Sequence, residues 1–105
     1  MVLVYNLLMK MYSNPSARKV RGSHVLRVSC AHCGCLIAHY RKVGSSNLVK
    51  LYLARIVDSS VDVSDAPGAL ECPQCGVRLA TRYVVRSDGE LAYRLVPGEV
   101  RSRRV

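Results

Sequence analysis

Alternation of apolar and polar positions is the dominant pattern along the chain. His24–Ser29 (HVLRVS) alternates as a strand, and Leu36–Arg41 (LIAHYR) reads as a strand returning beside it. Between Val77 and Arg86, the residues Val77, Leu79, Thr81, Tyr83 and Val85 alternate with Arg78, Ala80, Arg82, Val84 and Arg86, the mark of a half-buried strand. Ser87-Asp88-Gly89 then turns the chain. A three-residue loop with Gly89 in a bulge would pair Arg86 with Glu90, Val85 with Leu91, Tyr83 with Tyr93 and Thr81 with Leu95, keeping one face apolar. That register sets Arg82 opposite Arg94 on an outer face, where like charges repel unless water or an anionic partner intervenes. Leu48–Val57 (LVKLYLARIV) carries both periods: Leu48, Leu51, Tyr52, Arg55 and Ile56 suit a helix, and Val49, Leu51 and Leu53 alternate. Its strand-rich neighbours favour a strand.

The connecting segments are polar. Gly44-Ser45-Ser46-Asn47 is a turn, and Asp58–Gly68 (DSSVDVSDAPG) is acidic, turn-rich and expected to be the most exposed loop. Met1–Tyr12 is apolar but too short to cross a bilayer, and ends at the turn-prone Ser13-Asn14-Pro15-Ser16. It suits an added strand, a short helix docked on a partner, or a start placed upstream of the true one. It has neither a basic leading region nor a small-residue cleavage site, so no secretory signal is read and an intracellular location, cytoplasmic or nuclear, is expected. Arg18, Lys19, Arg21 and Gly22 follow as a basic, mobile link. The expected organisation is an apolar-then-basic arm over 1–23, one β domain over 24–97 and a basic tail over 98–105.

Two motifs sit at the ends of these strands. Cys30-Ala31-His32-Cys33-Gly34 and Cys72-Pro73-Gln74-Cys75-Gly76 are both C-x-x-C-G, separated by the 38 residues 34–71. Two residues between cysteines let a tight turn aim both sulfurs at one point, and the following glycine adopts the positive φ such a turn needs. Two such knuckles meeting give four thiolates in a tetrahedron, the donor set of a closed structural zinc site. Cys30, Cys33, Cys72 and Cys75 are therefore the expected ligands of one structural Zn(II). Disulfides would need an oxidising compartment, and a thioredoxin-like C-x-x-C would sit singly within a βαβ pattern that is absent here. Cys35 is left over, either as a small buried hydrophobe or as a competitor of Cys33 whose C-x-C bite suits a tetrahedron less well. His32 lies inside the first knuckle, facing solvent as a non-ligand.

Composition adds two constraints. With no Phe, no Trp and six tyrosines in 105 residues, the core is short of large rings and a structural metal would carry much of the stability. The formal charge is +9, yet Val28–Val96 holds eight Lys/Arg against six Asp/Glu, so the basicity lies at the ends. Basic arms beside a small zinc domain are a footprint of nucleic-acid contact as well as of plain solubility. Arg78, Arg82, Arg86 and Arg94 on the hairpin, with Arg101, Arg103 and Arg104 in the tail, are the candidate anion contacts. Tyr40 and Tyr52 could stack on bases, although core packing accounts for them equally.

Across residues 24–96 the order is strand, C-x-x-C-G, strands, a long gap, C-x-x-C-G, Val77–Tyr83 and a closing hairpin. This resembles the β-tent zinc domains of the Yippee and Mis-eighteen families, whose relatives include cereblon's ligand-binding domain and the type B methionine sulfoxide reductases. The resemblance implies two sheets meeting at an angle, pinned at one end by zinc on Cys30, Cys33, Cys72 and Cys75. The reductases need a cysteine on a late strand, and none follows Cys75; cereblon-type domains build a cage of tryptophans, and this chain has none. The implied branch is one that mediates assembly. A zinc ribbon, which usually has a shorter gap between knuckles, is the second fold.

The expected function is a non-enzymatic zinc module that docks protein partners in a complex. The alternative is an RNA- or DNA-binding accessory protein of a ribosome or transcription complex. Four cysteines close a zinc site to substrate, and only Glu71 among the acids adjoins the knuckles, so neither catalysis nor a small-molecule substrate is expected. No membrane association is expected.

Overall fold

The alternating segments read over 24–29, 36–41 and 77–86 all contain strands, and pairing sorts the strands into two antiparallel sheets. A computed structural model describes residues 10–105; the apolar stretch read over 1–12 lies mostly outside the described residues. The strands are β1 (Tyr12–Ser13), β2 (Ser23–Cys30), β3 (Leu36–Val43), β4 (Lys50–Tyr52), β5 (Ile56–Ser59), β6 (Ala69–Glu71), β7 (Arg78–Val84), β8 (Leu91–Leu95) and β9 (Val100–Arg104). One sheet has the order β1-β5-β3-β2-β9 and the other β4-β8-β7-β6. The fold is all-β, and none of its described elements is a helix long and apolar enough to cross a membrane.

A single core joins the sheets. Val28, Ile37 and Tyr40 enter it from the first sheet, and Leu51, Leu70, Leu79 and Tyr93 from the second. Tyr40 and Tyr93 are the largest fully buried side chains, so tyrosine does the work that Phe and Trp do in other cores. Each finds a partner for its hydroxyl: Tyr40 Oη accepts the Tyr52 N–H at 2.9 Å, and Tyr93 Oη donates to the Pro67 carbonyl at 2.7 Å.

Leu48–Val57 is not one strand. Lys50–Tyr52 pairs with β8 in the second sheet, Leu53–Arg55 makes a 3₁₀ turn, and Ile56–Ser59 pairs with β3 in the first. The turn rotates the chain between layers so that Leu51 and Ile56 are both buried, which explains the overlaid periods. The loop expected over Asp58–Gly68 is also partly structural. Asp58 and Ser59 belong to β5, Ser59 and Val63 are buried, and Ser60 N–H donates to the Ile37 carbonyl at 2.7 Å.

The β7–β8 hairpin differs from the expected register by one residue. Val84 faces Leu91, Tyr83 faces Ala92, Arg82 faces Tyr93 and Thr81 faces Arg94. Four residues, Arg86–Gly89, form the loop, closed by Val85 N–H to the Glu90 carbonyl and Gly89 N–H to the Val85 carbonyl, both at 2.8 Å. The expectation assumed one wet face. In the structure each face holds a fully buried residue, Ala92 on one and Tyr93 on the other, while Thr81, Val84 and Leu91 stay exposed. The 66–68 segment joins the Tyr93 side through the Tyr93 hydroxyl bond and an Arg82 Nη1 bond of 2.6 Å to the Ala66 carbonyl. Arg82 and Arg94 thus occupy opposite faces.

The two basic ends are built in. Asn14 is buried, and its amide donates to the carbonyls of Leu53 (2.7 Å) and Ile56 (2.8 Å), clipping the arm to the corner between sheets. Arg18 reaches Glu90 at 3.0 Å and its N–H bonds the Ala54 carbonyl, so the expected mobile link runs along the body. Val100–Arg104 of the expected tail is β9, paired antiparallel with β2.

Candidate metal centre

Each sheet sends one hairpin to the same end of the molecule. β2 and β3 flank the first knuckle, and β6 and β7 flank the second. The knuckles share one hydrogen-bond pattern: Cys30 N–H to the Cys35 carbonyl (2.9 Å) and Gly34 N–H to the Cys30 carbonyl (2.9 Å) match Cys72 N–H to Val77 (2.9 Å) and Gly76 N–H to Cys72 (2.8 Å). Gly34 and Gly76 sit at φ +78° and +80°, the left-handed conformation the motif's glycine was expected to supply.

The four expected ligands come together. Cys33 Sγ lies 3.5 Å from Cys72 Sγ and Cys30 Sγ 3.7 Å from Cys75 Sγ, with all four sulfurs within 4.8 Å of one another. A tetrahedron of thiolates at a Zn–S distance of about 2.3 Å has an edge of about 3.8 Å, so the cluster fits such an ion. A disulfide needs sulfurs at about 2.05 Å, and all five cysteines are free. Cys30 and Cys72 are buried, Cys33 is half-buried and Cys75 exposed, which places the centre at the rim of the core.

The electrostatics of the sulfurs are unequal. Burial works against ionisation of Cys30, but the backbone N–H groups of Cys33 and His32, with the neighbouring thiols of Cys75 and Cys33, outweigh it and bring its pKa down to about 7. Burial, reinforced by the neighbouring thiols, pushes Cys33 up to about 12. A ready Cys30 thiolate beside a reluctant Cys33 is what close-set sulfurs do by themselves; a divalent cation at their centre would deprotonate its ligands. The donor set can hold a metal ion.

Cys35 stays outside the four. It is buried, lies 3.5 Å from the Leu36 carbonyl and is pushed up to about 11 by burial and then by the charge of Cys72, consistent with its reading as a small hydrophobe. His32 turns away from the sulfurs and pairs with Glu99. His39 Nδ1 is 2.7 Å from Asp58 Oδ1.

The candidate basic residues do not form one surface. Arg78 pairs with Glu71 at 3.8 Å, Arg82 is spent on Ala66, Arg86 lies in the hairpin loop and Arg94 stacks 4.4 Å from the Tyr83 ring centroid. Arg101 and Arg103 share one face of β9, and Arg104, level with Leu26, lies on the other. Sequence reading missed Arg27 and Arg41, which share the Arg101–Arg103 face through the β2–β3 and β2–β9 ladders. Alternation in HVLRVS carried that signal; the strand that lines up beside it did not show.

In comparisons with known proteins, no family model, no curated protein and no solved structure matches this chain.

Proposed function

We propose that the protein is a non-enzymatic, structural-zinc module that serves as a docking or assembly subunit in a larger complex. The observation that carries this reading is the closed set of four sulfurs drawn from one hairpin of each sheet. Thiolates are soft donors that favour zinc over harder cations, and four of them leave no open coordination position for a substrate. Such a centre holds surfaces in place and performs no chemistry itself. Two antiparallel sheets, each contributing one knuckle, also support the β-tent reading of the Yippee and Mis-eighteen type over a lone zinc ribbon.

Native mass spectrometry before and after chelation tests the metal half of the reading. One zinc retained in Cys35→Ser and lost in Cys72→Ser is the expected result; a metal-free protein or a disulfide-linked mass overturns it. Cross-linking in cells tests the docking half. A defined partner joined to wild type and Cys35→Ser but lost from Cys72→Ser is expected, and turnover of any substrate by the zinc-loaded protein would reject the non-enzymatic reading.

A second reading, an RNA- or DNA-binding accessory protein, is favoured by one observation: pairing of β9 with β2 gathers separate arginines onto one sheet face.

A further inference from the structure

The outer face of the five-stranded sheet is read directly from its ladders. Residues level across antiparallel strands share a face, and Leu26, Val28, Ala38 and Tyr40 fill the inner one. The outer rows are therefore Asp58–His39–Arg27–Arg103 and Arg41–Val25–Val105, with Ser29–Arg101 beside the first knuckle. Four arginines, Arg27, Arg41, Arg101 and Arg103, face the same way.

These arginines are uncompensated. No described acid forms an ion pair with any of the four. Asp58, the one carboxylate in the rows, is bonded to His39, and Glu99 nearby is taken by His32. Arg27 and Arg103 are directly opposed on neighbouring strands, about 4.8 Å apart, where like charges disfavour pairing. Arg101 and Arg103, two residues apart, repeat the charge along the strand every ~6.8 Å. Arg27, Arg101 and Arg103 also line a depression of about 770 Å³ that runs to His32 and Gly34.

We propose that this face binds the phosphate backbone of a nucleic acid through Arg27, Arg41, Arg101 and Arg103, an inference that rests on the second reading above. The chemistry selects the partner. All four cations are guanidinium groups, whose planar fork grips phosphate oxygens bidentately. The row Asp58–His39–Arg27–Arg103 has no apolar side chain, Val25 and the exposed Val105 being confined to the row beside it, and a repeated row of unpaired arginine matches a repeated row of phosphates.

The test is fluorescence anisotropy with labelled single-stranded RNA, single-stranded DNA and duplex DNA, each roughly 16 nucleotides long, across a salt series. For single strands, Arg27→Ala/Arg103→Ala is expected to weaken binding at least roughly tenfold and to lower the log–log salt slope by roughly 1.4, about 0.7 per lost phosphate contact. Arg78→Ala/Arg86→Ala removes the same charge elsewhere and is expected to bind as wild type does. Arg103→Glu separates binding from folding: it replaces an opposed pair of like charges with an ion pair, so its melting temperature should hold or rise while binding falls. Equal losses in both double variants overturn the face but leave the accessory reading intact. No binding of any probe by wild type at low salt overturns both, and equally tight capture of polyglutamate assigns the face to an acidic protein and overturns the proposal.

Discussion

Cys30 Sγ and Cys75 Sγ, separated by 45 residues of chain, lie 3.7 Å apart where the two sheets meet. Cys30 ends β2 of one sheet, and Cys75 lies in the knuckle between β6 and β7 of the other, so whatever holds these sulfurs together holds the layers together. Removing the bridge should therefore open the molecule from this end. In zinc-finger peptides the metal contributes about 10–16 kcal/mol to folding, comparable to the whole stability of a small domain. Chelation, or Cys72→Ser, is expected to abolish the cooperative thermal transition and weaken the near-ultraviolet tyrosine signal. Cys35→Ser should keep both, and an unchanged melting curve after verified metal loss would sink this account.

Gly76 offers a finer probe of the same site. Its φ of +80° disfavours any side chain, yet a Cβ there would meet nothing within 4 Å. The cost of Gly76→Ala is therefore backbone strain alone, about 1–2 kcal/mol, and Gly76→Asn, which tolerates this conformation better, should cost less. Urea denaturation of the zinc-loaded variants reads the difference. An alanine cost well above that range would mean the knuckle is displaced and the metal lost with it.

The two knuckles were fully legible in the sequence because their geometry is local: a C-x-x-C-G run defines its own turn, hydrogen bonds and glycine conformation. Of the strands flanking them, β2, β3 and β7 were legible from alternation for the same reason, whereas the three-residue β6 was too short to show a pattern. What could not be read was long-range. Leu48–Val57 gave two periods because Leu53–Arg55 turns the chain between layers, which no one-dimensional pattern distinguishes from ambiguity. The β7–β8 register slipped by one because the loop takes four residues, Arg86–Gly89, and because Ala92 and Tyr93, on opposite faces, are both buried, which an expectation of one wet face does not allow. Arg101 and Arg103 read as tail because short polar strands carry no apolar stripe, and β9 exists through its pairing with β2.

Asn14 was visible only as part of a turn, yet it supports the corner between the sheets. Its side chain donates to the Leu53 and Ile56 carbonyls, and its Oδ1 accepts the Ser16 N–H at 3.0 Å. Asn14→Ala removes both donors and leaves two carbonyls underpaired at the corner. The expected loss is about 1–3 kcal/mol, the cost of stranding a buried polar group. It should appear as a lower urea midpoint with unchanged slope and full zinc content. A change in zinc content would instead place Asn14 in communication with the metal end.

Tyr40 provides a pH-dependent test of the core. Burial raises its pKa, while the Tyr52 N–H and the Arg55 charge oppose the shift. Tyr93 is raised in the same direction by burial. A folded pKa above the unfolded value of about 10 favours the neutral, folded form. The stability it contributes is fully present below that value and is lost as pH rises through the folded pKa. In alkaline titration, part of the phenolate absorbance should accordingly appear late and together with unfolding. Tyr40→Phe removes the acceptor of the Tyr52 N–H and should cost about 1–3 kcal/mol at neutral pH, while reducing the late phenolate amplitude. If Tyr40→Phe leaves both neutral stability and the late amplitude unchanged, the tyrosine hydroxyl does not tie β3 to β4, and shape-filling by the ring alone explains its burial.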